Sequence, residues 1–164
     1  MMRTICLLTL LLVYSCKRTE IEPAVASPDF YATLMDTTAT YDSTLARQFG
    51  ADALGMKTYV MAFLKRGPNR SQDSVEAARL QRAHLDNITR MANMGKLLVA
   101  GPFLDDDDVR GIYVFDVATV EEARALTETD PAIQSGRLVM ELHPWYGPAA
   151  LKCLSPLHKR IERK

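Results

Sequence analysis

The sequence predicts an α+β domain whose four strands and two helices follow one another as β-α-β-β-α-β between residues 57 and 147. Three observations predict it. Short runs of β-branched and aromatic residues alternate with two helical patterns, each opened by a capping residue. Gly-Pro, Asp-rich and Asp-Pro breaks separate the segments. The chain has 164 residues, 48% hydrophobic and 24% charged, which suits one domain with a real core.

The first strand is Thr58 to Leu64 (TYVMAFL), broken by Gly67, Pro68 and Asn69. The long helix opens at Asp73, with Glu76 at capping-box spacing, and runs to about Met94 before Gly95 stops it. Residues 97–100 (LLVA) are the second strand, ended by Gly101 and Pro102. Four aspartates, Asp105 to Asp108, make a turn into the third strand, residues 111–117. Thr119 caps a short helix, Val120 to Thr129. Asp130-Pro131 breaks it, because proline disfavours helical geometry in the residue before it. Residues 137–143 are the fourth strand. The order is the split βαβ pattern of ferredoxin-like folds.

Upstream, Arg3 and an apolar run from Ile5 to Val13 have the pattern of a secretory signal; the run is too short to span a bilayer. Val13 to Cys16 (VYSC) resembles a bacterial lipobox, which implies that Cys16 carries lipid and becomes the first mature residue. On that reading residues 1–15 are the signal peptide and 16–29 are the anchor and linker. Residues 30–56 are an extension with a short helix between Asp42 and Gly50, and 148–164 are a basic tail, frayed or lying near anionic lipid. The expected location is the cell envelope, tethered to the membrane and facing the periplasm or outer membrane. Lys and Arg total 20 and so do Asp and Glu, so the chain lacks the basic footprint of a nucleic-acid binder.

Two helices cover only one face of a four-stranded sheet. Val60, Ala62 and Leu64 alternate with Tyr59, Met61 and Phe63, and Ile112 and Val114 with Tyr113, Phe115 and Val117, so both faces are apolar. The expected cover for the second face is a second copy of the chain, giving a homodimer; the alternative is the N-terminal extension.

One histidine sits in an unusual place. On the wheel of the long helix, His84 falls amid Ala77, Leu80, Ile88 and Met91, while Arg79, Arg82, Asp86 and Arg90 lie opposite. A buried imidazole needs a hydrogen-bond partner, and the ordinary one is a backbone carbonyl.

Six motifs in order extend this reading: Arg82-Ala83-His84-Leu85, Gly95-Lys96-Leu97-Leu98, Ala100-Gly101-Pro102-Phe103, Thr119-Val120-Glu121-Glu122-Ala123, Thr129-Asp130-Pro131 and Pro144-Trp145. Together they resemble the YciI-like (YCII-related) domain family. The resemblance implies a dimeric ferredoxin-like α+β fold with a catalytic His–Asp pair in a cleft by the sheet. Carried over, the pair is His84 and Asp130. The acidic residue some members carry two before the glycine ending the first helix is Asn93 here. One relative is a dehydrochlorinase acting on a chlorinated hydroxyquinol, which implies cofactor-free and metal-free lyase or isomerase chemistry on a small molecule. The alternative is a non-catalytic module that binds a small molecule or assists assembly in the cell envelope. Candidate substrate-binding residues are Tyr59 and Phe63 as an apolar wall, Arg66 (with Arg70) as an attractor of anions, and His143 lining a cleft on the second face.

Overall fold

The computed structural model describes residues 36, 38 and 40–163, and the chain divides into two units, Met1–Thr40 and Tyr41–Lys164. The signal segment, the Cys16 anchor and the linker lie outside the described residues. In the first unit, the Asp36 carboxylate accepts the backbone N–H and the hydroxyl of Thr38.

The second unit begins with α1 (Ser43–Phe49), where the Asp42 carboxylate accepts the N–H groups of Thr44 and Leu45 and Gly50 supplies the left-handed stop. It continues with β1 (Met56–Arg66), α2 (Ser74–Asn93), β2 (Leu97–Pro102), β3 (Val109–Phe115) and α3 (Val120–Thr127). A one-turn helix, α4 (Pro131–Gln134), then leads into β4 (Leu138–Pro148). The strands form one antiparallel sheet in the order β2-β3-β1-β4, the arrangement that a ferredoxin-like β-α-β-β-α-β chain requires. The fold class expected from the sequence is the one observed.

Alternation decides the two faces. Val60, Ala62 and Leu64 of β1 stand beside Tyr113 and Phe115 of β3, and Met91 of α2 and Ala123 of α3 close over them as one core. On the opposite face Met61 and Phe63 pair with Val114 and Ile112 of β3 and with His143 and Glu141 of β4.

Several boundaries differ from the sequence expectation, and three of them bear on the site or the tail. α3 ends at Thr127, short of the expected Thr129, and Asp130-Pro131 starts α4, with Asp130 as its N-cap and Pro131 in its first turn. β4 runs past His143 to Pro148, and Pro144 is tolerated within it because β4 is an edge strand. The residues read as a basic tail fold as a 3₁₀ turn (Ala149–Cys153) and α5 (Leu154–Ile161). Lys152 reaches Asp116 at 3.7 Å and the Gln48 carbonyl at 3.4 Å, so part of that basic charge is used within the fold.

Candidate active site

The Asp73 side chain fixes the start of α2 by accepting the Glu76 N–H at 2.8 Å. That start sets the phase of the helix: Leu80, His84, Asn87 and Met91 form its buried stripe. His84 is thereby aimed at the sheet and is only 7% exposed. Across from it, Asp130 is 1% exposed and is held by the turn between α3 and α4. Its Oδ1 accepts the Ala132 N–H at 2.8 Å, and its Oδ2 lies 2.6 Å from His84 Nδ1. A carboxylate only accepts hydrogen bonds, so Nδ1–H is the donor of this contact. The acid is thus aimed by its duty as a helix cap: one oxygen stays on the backbone while the other meets the ring.

Tyr113 completes the cluster from β3. Its hydroxyl lies 3.4 Å from His84 Nε2, and the two rings are nearly parallel with centroids 6.4 Å apart. Burial, and then the Asp130 charge, push the Tyr113 phenol far above its ordinary value, so it remains an O–H donor. At that distance its hold on Nε2 is weak.

A cavity of about 430 Å³ opens in front of the cluster. His84 and Tyr113 both line it, with Leu64, Ile88 and Leu138 as apolar wall. Asp130 is not among the lining residues and stands behind the imidazole. Apolar lining around a few convergent polar groups is the usual make-up of a small-molecule site.

Behind the pair, a polar tie joins α2 to the turn. Arg90 donates to Asn87 Oδ1 at 2.8 Å and to Thr129 Oγ1 at 2.7 Å, and the Thr129 hydroxyl donates to the Leu126 carbonyl at 2.6 Å. The loop preceding Asp130 is therefore pinned to the helix that carries His84.

Of the residues singled out from sequence, His84 and Asp130 come together and Arg70 lines the same cavity, while Tyr59, Phe63, Arg66 and His143 lie elsewhere. Tyr59 and Phe63 alternate with Val60, Ala62 and Leu64, so they point to the face away from His84. The Tyr59 hydroxyl donates to the Pro148 carbonyl at 3.0 Å, and burial, with Asp116 adding, pushes its phenol up to about 12. Phe63 meets the His143 ring edge-on at 5.8 Å on that same face, and His143 Nε2 lies 2.9 Å from Glu141. Arg66 turns to Asp106 at 2.8 Å and does not line the cavity.

Sequence reasoning missed Tyr113 as part of the site. A signal for it existed, since a buried tyrosine seeks a partner for its O–H and His84 was the polar group expected in the same core. Arg110 and Arg137 also line the cavity, and no local pattern marked them.

Fold and site together define a ferredoxin-like α+β domain with a buried His–Asp pair beside a cavity. The model of the YCII-related domain matches residues 58–146, and the chain belongs to that family. No curated protein matches it. A similar solved structure is a 5-chloro-2-hydroxyhydroquinone dehydrochlorinase from Burkholderia phenoliruptrix AC1100, in complex with 2,5-dihydroxybenzoquinone. It is 21% identical, the match covers 54% of this chain and 93% of that one, and the TM-score is 0.40.

Proposed function

We propose that the protein is an acid–base enzyme of the lyase or isomerase type, acting on a small molecule bound in the cavity beside His84. The observation that carries this reading is the 2.6 Å contact of Asp130 with His84 Nδ1, on a ring that lines a cavity Asp130 does not. His84 Nε2 takes a proton from a substrate carbon or hydroxyl, and Asp130 stabilises the imidazolium that forms. In an elimination, the electrons of the broken C–H bond become the new double bond, and the leaving group departs with its own bonding pair. In an isomerisation, the imidazolium returns the proton to a different atom. Tyr113 donates its O–H to a substrate oxygen on which negative charge develops.

The test is the imidazole tautomer, read from the ¹⁵N shifts of the His84 ring. The wild-type chain is expected to show Nδ1–H and an unprotonated Nε2. Asp130→Asn keeps the helix cap but puts an amide donor against Nδ1, and the tautomer should reverse. A ring whose tautomer is the same in both chains would end the pairing, leaving the reading as a binding or assembly module.

We extend the reading to assembly. The face bearing Met61, Phe63, Ile112 and His143 has an apolar centre edged by Lys65 and Glu141, which pair at 2.7 Å. A second copy related by two-fold symmetry offers the same apolar centre and both signs of charge. Sedimentation is expected to give a dimer for the native sequence and a monomer for Phe63→Glu; a native monomer would refute it. The lipid anchor expected at Cys16 would hold this dimer at the envelope, and Cys16→Ser should then release the chain from membranes.

A further inference from the structure

Three arginines from three separate segments stand around the cavity: Arg70 from the loop before α2, Arg110 from β3 and Arg137 from the turn before β4. No Asp or Glu is among the lining residues. The loop carrying Arg70 is held tightly to the turn carrying Arg137. Gly67 and Asn69 donate their N–H groups to the carbonyls of Arg137 and Gly136 at 2.9 and 3.0 Å, and Asn69 Nδ2 donates to the Ser135 carbonyl at 2.9 Å. A Cβ at Gly67 would overlap the Gly136 carbonyl, so only glycine permits this approach.

Within this cluster one carboxylate serves two arginines. The Asp106 carboxylate is shared by Arg66 and Arg110, each at 2.8 Å. Arg110 otherwise reaches the backbone carbonyls of Asp105 and Asp107, not their carboxylates. Arg70 donates to the Arg137 carbonyl at 3.2 Å, and Arg137 donates to Gln72 Oε1 at 3.2 Å. Among the described residues neither of these two cations forms an ion pair. Burial and then Arg137, Arg66 and Arg110 lower the Arg70 pKa against the opposing pull of Asp106. The cavity lining therefore carries three guanidinium groups and no carboxylate, beside an apolar wall and the His84 and Tyr113 rings.

We propose that the ligand of this cavity is an organic anion, its carboxylate bound by Arg70, Arg110 and Arg137 and its apolar body lying against Leu64, Ile88 and Leu138. Guanidinium groups are planar forks that match a carboxylate, and an anion here relieves the repulsion between them. What happens to the bound anion rests on the acid–base reading above; its binding does not. The carboxylate end is the handle, and the other end faces the imidazole.

The experiment compares 4-hydroxybenzoate with 4-hydroxybenzamide, which have the same ring and differ in charge. Titrations of the ¹⁵N-labelled full chain are read at the amides of Gly101 and Gly111, both of which line the cavity. The carboxylate is expected to bind at least about tenfold more tightly than the amide. Arg70→Gln, Arg110→Gln and Arg137→Gln together should bring the two within about twofold, as expected when the charged partners are removed, while His84→Gln keeps the preference. Equal affinity for both probes overturns the proposal, as does a preference that survives loss of all three arginines. So does the absence of saturable shifts with 4-hydroxybenzoate, benzoate and succinate at millimolar concentration. If the preference holds but the His84 tautomer ignores Asp130→Asn, the anion site stands and the acid–base reading falls. The reverse pattern removes only the anion.

Discussion

Asp130→Ala is expected to lower folding stability by about 3 kcal/mol, among the largest losses from a single substitution in the domain. Two effects add. The Ala132 N–H loses its 2.8 Å acceptor at the start of α4, and removing such a cap costs about 1 kcal/mol. His84 Nδ1 loses its 2.6 Å partner while the ring stays buried, and an unsatisfied buried donor costs roughly 1–3 kcal/mol. Asp130→Asn separates the two, since asparagine caps as well as aspartate and has a carbonyl oxygen for Ala132. It should cost only about 1 kcal/mol, in the range of a single altered hydrogen bond. Urea unfolding at unchanged slope reads both values. A loss below about 1 kcal/mol for the alanine variant would show that the cap and the ring bond are not held in the folded chain.

That double duty explains what the sequence did and did not disclose. Periodicity and capping residues are local, so the order of strands and helices and the phase of α2 were legible, and with them the inward aim of His84. The Asp-Pro dipeptide was read as a stop for α3. The same two residues are a start, with proline in the first turn and aspartate as cap, and that meaning is what orients the carboxylate. The full length of β4 was hidden by Pro144, because an edge strand tolerates a residue that a central one excludes. α5 had a faint apolar stripe at Leu154, Leu157 and Ile161, masked by its basic residues and Pro156.

The cavity was less legible than the pair beside it. Arg70, Arg110 and Arg137 are far apart in sequence and meet only through the packing of the 67–70 loop on the turn before β4. Tyr59, Phe63 and His143 are the converse case: they are chemically apt residues in strands, but the period of two sends them to the other face. The sequence supplied their face, through the alternation with Val60, Ala62 and Leu64; which face held the site depended on where the helix carrying His84 docks.

The second large effect concerns turnover. A substrate is best sought by thermal shift, since a ligand that binds only the folded chain raises its apparent stability. On any compound turned over, His84→Gln is expected to reduce kcat by about 10²–10⁴-fold, the usual contribution of a positioned acid–base group. KM should change little, because the cavity wall and the arginines lining it are untouched. Tyr113→Phe should reduce kcat less, by about tenfold, since it removes one O–H but leaves the proton acceptor and its Asp130 partner in place. The order of the two effects is the discriminating result. Were Tyr113→Phe to cost more than His84→Gln, the phenol and not the imidazole would be the group that handles the proton. The burial that keeps Tyr113 protonated argues against that order: an O–H that resists ionisation donates well to a developing oxyanion but is a poor source of a base.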